Sequence, residues 1–421
     1  MASAFPFSVS LELTKSGPAA PSSPEFASAL NRAERALADL LSAKPGLELF
    51  ENVARTDDLA AARKVAEALK RDTSAIFVLG IGGSSLGGQA LKDLAVAHKP
   101  EVHFFDNPDP VAYERALKSA DLKSTRFVAI SKSGGTPETL AQVLIAAEAL
   151  KGAGGGKYLA QHFVAITEPR DSALRKFAAA IGCPVLDHPI GIGGRYSVLT
   201  VVGMLPALLM GLDVDALRAG ARAVLDRARS EKSPPALGAA QHWALAEHGD
   251  LRESVLWCYS DRLKTFGPWW RQLWAESLGK DGKGTTPVAV LGPVDQHSQL
   301  QLFLGGPGGA LYTLIDAATK GQGPVMPAND ANALGLSYLA GRPLGDLIDA
   351  EVRATAETLA RRGRPVRRIT VPTLDERALG ALFMQYMLET ILMGKLMGVD
   401  PFDQPAVEDG KVLARKYLEG G

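Results

Sequence analysis

Residues 75–89 read AIFVLGIGGSSLGGQ, in which a short apolar run leads into a loop of glycine and serine. The apolar run has the length and composition of a buried strand. A helical pattern follows the loop, so the loop is predicted to join a strand to a helix. Such a turn presents free backbone N–H groups and the positive end of the helix to an anion.

Short apolar runs of the same kind recur along the chain, each followed by turn residues and most by a helical pattern. They lie at residues 75–79, 102–105, 127–130, 163–166, 184–186, 254–258, 287–291, 310–315 and 368–371. Alternating strands and helices predict parallel sheets covered on both faces, so the expected fold class is α/β with two three-layer α/β/α units.

The chain is too long for one core, which rarely grows past about 250–300 residues. A polar break at residues 229–235 divides the two α/β units. We expect four parts, listed here in chain order: an N-terminal helical segment at 1–50, a first α/β domain at 51–228, a second at 229–375 and a C-terminal helical tail at 376–421.

Charge and cysteine usage argue against several classes of protein. The 46 basic residues balance 46 acidic ones, which disfavours a broad surface for nucleic acid. Two cysteines, Cys183 and Cys258, cannot build a disulfide framework or a thiolate zinc site, and they suit a reducing compartment. The N-terminus lacks a signal-peptide pattern, and Pro206 interrupts the longest apolar stretch. We expect a cytoplasmic protein without a membrane partner.

Two common nucleotide-binding patterns fail in the first glycine loop. The dinucleotide pattern G-x-G-x-x-G, started at Gly80, requires glycine where Ser85 stands. The P-loop pattern requires lysine where Gln89 stands. The loop alone is compatible with either a ligand cradle or a tight turn.

The second loop, SKSGGTPET at residues 131–139, also follows an apolar run. Thr136 is expected to cap a helix that begins at Pro137. The loop gathers three hydroxyls and an ammonium group, from Ser131, Ser133, Thr136 and Lys132. Capping alone does not require so many donors, although a merely capped helix stays an alternative. Both loops follow strands, where open α/β sheets bind ligands, which favours a phosphate cradle.

These loops resemble those of the sugar-isomerase (SIS) fold, and four later stretches narrow the resemblance to the phosphoglucose isomerase family. They are GIGGRYS within residues 191–203, QLWAESLGK at 272–280, residues 295–301 around His297, and DQPAVEDGK at 403–411. With the two loops, six motifs stand in the family's order. Ala406 replaces a glycine usual in the last motif, and the chain resembles the family's compact bacterial form.

The resemblance implies two flavodoxin-like SIS units and the reversible isomerisation of D-glucose 6-phosphate to D-fructose 6-phosphate, a step of glycolysis and gluconeogenesis. The reaction proceeds by ring opening and proton transfer through a cis-enediolate, and it needs no metal or organic cofactor. The resemblance also implies a homodimer in which His297 reaches the site of the neighbouring subunit.

Glu276 is the expected base. It lies four residues after Gln272, so both side chains share a helix face. The resemblance assigns the proton transfer between C1 and C2 to Glu276 and sugar-phosphate contact to Gln272. Arg195, next to two glycines, is expected to stabilise the charge of the enediolate.

His297 has a side chain suited to acid–base work in ring opening, and by resemblance Lys411 assists it. Gln404 is expected to contact the sugar, and the spacing of Gln404, Glu408 and Lys411 predicts one helix face. The loop residues divide the remaining contacts: Gly83 and Ser84 face the sugar, and Ser131, Lys132, Ser133 and Thr136 hold the phosphate.

Structural alternatives stay open for these residues. They are a surface glutamate at Glu276, a loop ion pair at Arg195, an ordinary histidine at His297 and an amphipathic helix around Lys411. Two alternatives stay open for function. One is a phosphosugar-binding regulator of the same fold without turnover, and the other is an isomerase that acts on mannose 6-phosphate.

Overall fold

The computed structural model describes residues 5–95, 98–229 and 233–420. In these ranges the chain forms ten strands: β1 Ser8–Ser10, β2 Ala75–Leu79, β3 Glu101–Phe105, β4 Thr125–Ile130, β5 Phe163–Thr167, β6 Val185–Asp187, β7 Glu253–Tyr259, β8 Thr286–Leu291, β9 Ala310–Asp316 and β10 Val366–Thr370. The nine predicted apolar runs are all strands, with bounds that differ by at most two residues at either end.

The helices in the same ranges are α1 Pro24–Ser42, α2 Glu48–Asn52, α3 Asp57–Lys70, α4 Leu86–Leu94, α5 Pro110–Ser119, α6 Pro137–Gly152, α7 Leu159–His162, α8 Ala173–Ile181, α9 Val201–Leu209, α10 Val214–Arg227, α11 Pro234–His248, α12 Phe266–Leu278, α13 Leu300–Gly305, α14 Ala328–Ala333, α15 Leu344–Arg361, α16 Glu376–Met397 and α17 Glu408–Leu418. Short 3-10 turns, among them Gly82–Ser84 and Gly194–Leu199, join several of them. None of the helices in the described ranges is long and apolar enough to cross a membrane.

The first sheet has the order β3-β2-β4-β5-β6, and all its strands are parallel. The chain moves from β2 outward to β3 and then returns to β4 on the other side of β2. This is the flavodoxin-like order, which has its topological switch point between the two central strands. The loops that follow β2 and β4 are therefore expected to flank a crevice at the carboxyl edge of the sheet.

The second sheet has the order β1-β10-β9-β7-β8. Strands β7 to β10 are parallel and repeat the flavodoxin-like order, whereas β1 adds an antiparallel edge in which Ser8 pairs with Thr370. The sequence did not predict β1, because three residues with a single apolar side chain give no strand pattern.

Helix α16 lies at the centre of the core. It has 22 residues, of which most are buried, and it packs against α1, α10, α11 and α12. A Cβ on Gly220 of α10 would lie 1.8 Å from the carbonyl oxygen of Arg377, and one on Gly380 would lie 1.8 Å from that of Leu217. The two backbones therefore touch at glycines that no larger residue can replace. The four-part division of the chain stays a prediction.

Candidate active site

The two glycine loops lie side by side at the switch point of the first sheet. Strand β2 ends at Leu79 and β4 at Ile130, and Leu79 pairs with Ala129 in the register of the sheet. A Cβ on Gly80 would stand 3.0 Å from the carbonyl oxygen of Ile130. The structure thus brings both predicted anion loops to one edge.

The first loop is pressed against the turn that carries Arg195. A Cβ on Gly83 would lie 2.2 Å from the carbonyl carbon of Gly194 and 2.6 Å from the backbone nitrogen of Arg195. A Cβ on Gly82 would lie 2.8 Å from Nε2 of Gln272. Only glycines permit this approach, so the first loop lies against both the turn that carries Arg195 and the side chain of Gln272. Ser84 follows, half-buried, in the same turn.

The second loop is organised by its own hydroxyl groups. Thr136 stands at the N-cap and Pro137 at the first position of α6, as predicted. The Thr136 hydroxyl does not bond to the helix backbone but shares a 2.8 Å hydrogen bond with Ser131, which is buried. The exposed Ser133 accepts from the backbone N–H of Gly135 at 3.2 Å, and the Lys132 side chain is 34% exposed. Lys132 and Ser133 therefore offer the accessible donors of this loop.

Arg195 is the most heavily hydrogen-bonded member of the site, and it is only 3% exposed. Its guanidinium group contacts five oxygens: Ser277 Oγ at 2.8 Å, Gln404 Oε1 at 2.8 Å, Pro401 O at 2.7 Å, Asp403 O at 2.9 Å and Glu276 Oε2 at 3.4 Å. The neighbouring Tyr196 shares a 3.0 Å hydrogen bond with Ser277, and burial raises the pKa of Tyr196 to about 12. These contacts fix the cation in one position.

Glu276 lies beside this cation on the last turn of α12. Nε2 of Gln272 donates to Glu276 Oε1 at 3.0 Å, which confirms that residues four apart share one helix face. The Glu276 side chain keeps 31% of its surface exposed. One carboxylate oxygen is thus oriented by an amide and the other faces Arg195, while a third of the side chain stays open to a ligand.

Gln404 joins the site from outside a helix, so the prediction that Gln404, Glu408 and Lys411 share one helix face was wrong. Gln404 has extended backbone with φ −161°, and α17 begins only at Glu408. Pro405 is the cause, because a proline ring disfavours the helical conformation in the residue before it. Gln404 still reaches Arg195, as the hydrogen bond at 2.8 Å shows.

Lys280, the last residue of the motif at 272–280, also contributes to the site, although no role was predicted for it. Its ammonium group contacts the side chain of Asp403 at 2.7 Å and donates to the carbonyl oxygens of Asp400 and Ser277. With Arg195, it holds the turn that carries Gln404 against the end of α12. A lysine two residues after the end of a helix can donate hydrogen bonds to the last carbonyl oxygens of that helix.

His297 and Lys411 are not hydrogen bonded to this cluster in the described residues. Both are exposed, and no hydrogen bond or ion pair between described residues links either one to Arg195 or Glu276. Lys411 pairs with Glu408 at 2.7 Å on α17, whose residues are all exposed. A single chain therefore brings Gly83, Arg195, Gln272, Glu276 and Gln404 together, but leaves these two predicted residues outside.

His297 follows β8, at the carboxyl edge of the second sheet. The end of α12 lies at the opposite edge, because Nε1 of Trp274 donates to Thr285, the residue before β8, at 2.9 Å. Strand β8 has six residues, and its length of about 20 Å separates Glu276 from His297 within one chain.

Comparisons with known proteins identify the family of the chain. The sequence model described as "Phosphoglucose isomerase" matches residues 57–320 and 349–420. The chain belongs to the phosphoglucose isomerase family. It is 36% identical to the glucose-6-phosphate isomerase of Rubrobacter xylanophilus over 394 residues, which are 90% of each chain.

Solved structures share the fold of this family member. A hypothetical protein of Thermus thermophilus has a TM-score of 0.89 at 36% identity, with 98% of this chain and 99% of that chain covered. A glucose-6-phosphate isomerase of Chlamydia trachomatis has a TM-score of 0.82 at 21% identity, with 99% and 89% covered. The predicted SIS-type α/β fold is confirmed.

Proposed function

We propose that this chain interconverts D-glucose 6-phosphate and D-fructose 6-phosphate, with Glu276 as base and Arg195 as the cation that stabilises the enediolate. The observation that carries the proposal is the Glu276–Arg195 pair at 3.4 Å, next to two loops suited to a phosphate. Family membership supports the same reaction, which belongs to glycolysis and gluconeogenesis.

The phosphate is proposed to bind the second loop. Lys132 supplies a charge, and Ser131, Ser133 and Thr136 supply hydroxyls at the positive end of α6. The sugar then extends toward Gly83 and Ser84, since the first loop lies between the second loop and Arg195. Gln272 and Gln404, which hydrogen bond to Glu276 and Arg195, are placed to contact sugar hydroxyls as well.

The proton transfer uses the carboxylate of Glu276. It removes the proton from C2 of the open-chain aldose, and the electrons move into an enediolate. A proton then passes from the oxygen on C2 to the oxygen on C1, and the same carboxylate returns its proton to C1, so that C2 becomes the ketone. Negative charge develops on the enediolate oxygens, and a fixed guanidinium stabilises that charge without reorganising during the reaction. Gln272 donates a hydrogen bond to Oε1 of Glu276. The other oxygen, Oε2, faces Arg195 and is the one that we place beside C1 and C2 of the sugar.

Ring opening is assigned to His297 and Lys411, and we propose that His297 comes from a second copy of the chain. Its position at the far edge of the second sheet supports this arrangement, because about 20 Å is too far for proton transfer within one chain. Helix α17 supports it too: Val412, Leu413 and Leu418 are exposed apolar residues that a second copy can cover. A homodimer completes the site.

We also propose a cytoplasmic location. Cys183 and Cys258 are both unpaired and buried, as expected for a protein of a reducing compartment.

The experiment is an activity assay of purified wild-type protein and of Glu276→Gln. Wild type is expected to convert glucose 6-phosphate, and the variant to lose at least about 10²-fold in kcat, because glutamine cannot take up the proton. Glu357→Gln is the control, since it neutralises an exposed glutamate that pairs with Arg361 on α15.

Three results would contradict the proposal. Tight binding of fructose 6-phosphate without turnover would favour a regulator of the same fold. A Glu276→Gln variant with the kcat of wild type would show that Glu276 is not the base. Faster turnover of mannose 6-phosphate than of glucose 6-phosphate would change the substrate.

A further inference from the structure

A buried carboxylate stands beside the loop that is proposed to hold the phosphate. Strands β4 and β5 are neighbours, and Ile130 pairs with Ile166. Two residues further along both strands, the same parallel register places Lys132 beside Glu168. The backbone N–H of Glu168 donates to the carbonyl oxygen of Lys132 at 3.1 Å. An anion so close to an anion site requires an explanation.

Two cations share this carboxylate unequally. The Glu168 side chain is 4% exposed, and its Oε2 lies 2.6 Å from Nη2 of Arg170. Its Oε1 lies 3.6 Å from Nζ of Lys132, which is longer than a hydrogen bond. The nearby Arg175 is directed elsewhere, because its guanidinium binds Asp187 and the backbone oxygen of Glu168. Arg170 is therefore the close partner of Glu168.

We propose that Arg170 neutralises Glu168 so that the ammonium group of Lys132 stays available to the substrate phosphate. A buried carboxylate is costly unless it is paired. Without Arg170, Lys132 is the remaining side-chain cation within 4 Å of the Glu168 carboxylate oxygens among the described residues. A phosphate dianion must then compete with Glu168 for the same ammonium group. This inference rests on the proposed function, in which Lys132 binds the phosphate.

The test is Arg170→Met, assayed with glucose 6-phosphate as substrate and inorganic phosphate as inhibitor. We expect KM and the inhibition constant of phosphate to rise about fivefold to tenfold, while kcat stays within about twofold. Phosphate contacts are equally strong in the bound substrate and the transition state, so their loss changes KM and not kcat. A general loss of structure would lower kcat or the thermal midpoint as well.

The rescue variant is the double substitution Glu168→Gln with Arg170→Met, which removes the competing carboxylate together with its partner. It is expected to return both constants to within about twofold of wild type. The matched control is Lys176→Met, which removes the same charge from the same segment but breaks only an exposed pair with Asp171. Its constants are expected to equal those of wild type.

Defined outcomes would overturn the inference. Unchanged constants in Arg170→Met would do so, as would a defect that persists in the double variant or appears equally in Lys176→Met. If Arg170→Met does not fold, Glu168→Gln tests the inference by itself. A KM of Glu168→Gln above that of wild type would contradict the idea that Glu168 competes with the phosphate for Lys132.

The failure of the proposed function would look different. Wild type would then neither turn over glucose 6-phosphate nor bind phosphate, or Lys132→Met would bind phosphate as wild type does. Weakened binding in Lys132→Met together with normal binding in Arg170→Met would overturn only the role of Arg170.

Discussion

The two halves of the proposed site differ in how the chain holds them. Arg195 is 3% exposed and fixed by five oxygens, and Glu276 is oriented by Gln272. Lys411, in contrast, is 59% exposed with Glu408 as its ion-pair partner, and His297 is exposed beyond the second sheet. A single chain thus prearranges the groups proposed for proton transfer but not those proposed for ring opening.

The contrast follows from where each group stands in the fold. Arg195 and Glu276 belong to elements packed against the core, so their positions come with folding. Helix α17 has 11 residues and none is buried, and a helix of that length is marginal in water on its own. It therefore needs another surface to hold Lys411 in place, which agrees with a second copy of the chain.

Subunit mixing is expected to give the largest effect, and it tests whether His297 acts in the site of a second chain. Glu276→Gln and His297→Ala are each expected to be nearly inactive, because each removes an acid–base group worth about 10²–10⁴-fold. If His297 acts across an interface, half of the randomly mixed dimers are mixed and each has one intact site. Activity should then return to about a quarter of wild type, a gain of about 25-fold or more over either variant.

The control is a mixture of Glu276→Gln with Glu276→Gln, treated identically, which has no intact site. Subunit exchange is verified by mass spectrometry of differently tagged chains. If subunit exchange is confirmed and no activity is recovered, Glu276 and His297 of the same chain must act in the same site. The proposed sharing of the site between two chains would then be wrong.

Gly83→Ala tests how strictly the prearranged half is packed. A Cβ there would meet the carbonyl carbon of Gly194 at 2.2 Å, so the loop or the turn carrying Arg195 must move. Displacement of about 1 Å at an active site can cost about 10²-fold, and we expect kcat/KM to fall by that order. The measurement is a steady-state assay with glucose 6-phosphate.

Gly152→Ala is the matched control, because nothing lies within 4 Å of a Cβ at that end of α6. It is expected to keep wild-type kcat/KM. A Gly83→Ala enzyme with unchanged kinetics would show that the close approach of the two backbones is not needed for activity.

The prearranged half could be predicted where the signal is local. The strands are apolar runs bounded by turn residues, and the pairing of Gln272 with Glu276 depends only on helical spacing. Thr136 and Pro137 were correctly placed at the start of α6 because capping is also a local preference.

Contacts between distant segments could not be predicted in this way. Arg195 binds the carbonyl oxygens of Pro401 and Asp403, more than 200 residues away, and backbone acceptors leave no signal in side-chain spacing. The prediction that Gln404 lies on a helix face was wrong because Pro405 disfavours the helical conformation in the residue before it. The parallel register of β4 and β5 places Glu168 beside Lys132. The contact could be predicted only if the pairing of these two strands was predicted first.

A buried histidine directly after β6 provides the last and smallest test, in contrast to the exposed His297. His188 is 1% exposed, and burial lowers its pKa to about 4, with the charge of Lys132 acting in the same direction. Between pH 6.5 and 4 the unfolded chain binds a proton that the folded chain does not, so stability falls as the pH falls through this window. The shift corresponds to about 2 kcal/mol by pH 5.

Urea unfolding at pH 7 and pH 5 measures this effect. Wild type should lose about 2 kcal/mol more of its unfolding free energy than His188→Gln over that interval, because the variant has no imidazole to protonate. His248→Gln is the control, since its side chain is 44% exposed, and its pH dependence should match that of wild type. Equal losses in wild type and His188→Gln would mean that the folded protein accommodates a protonated His188 beside Lys132. The surroundings of the phosphate loop would then be more open to water than the structure indicates, and the contrast between the two halves of the site would weaken.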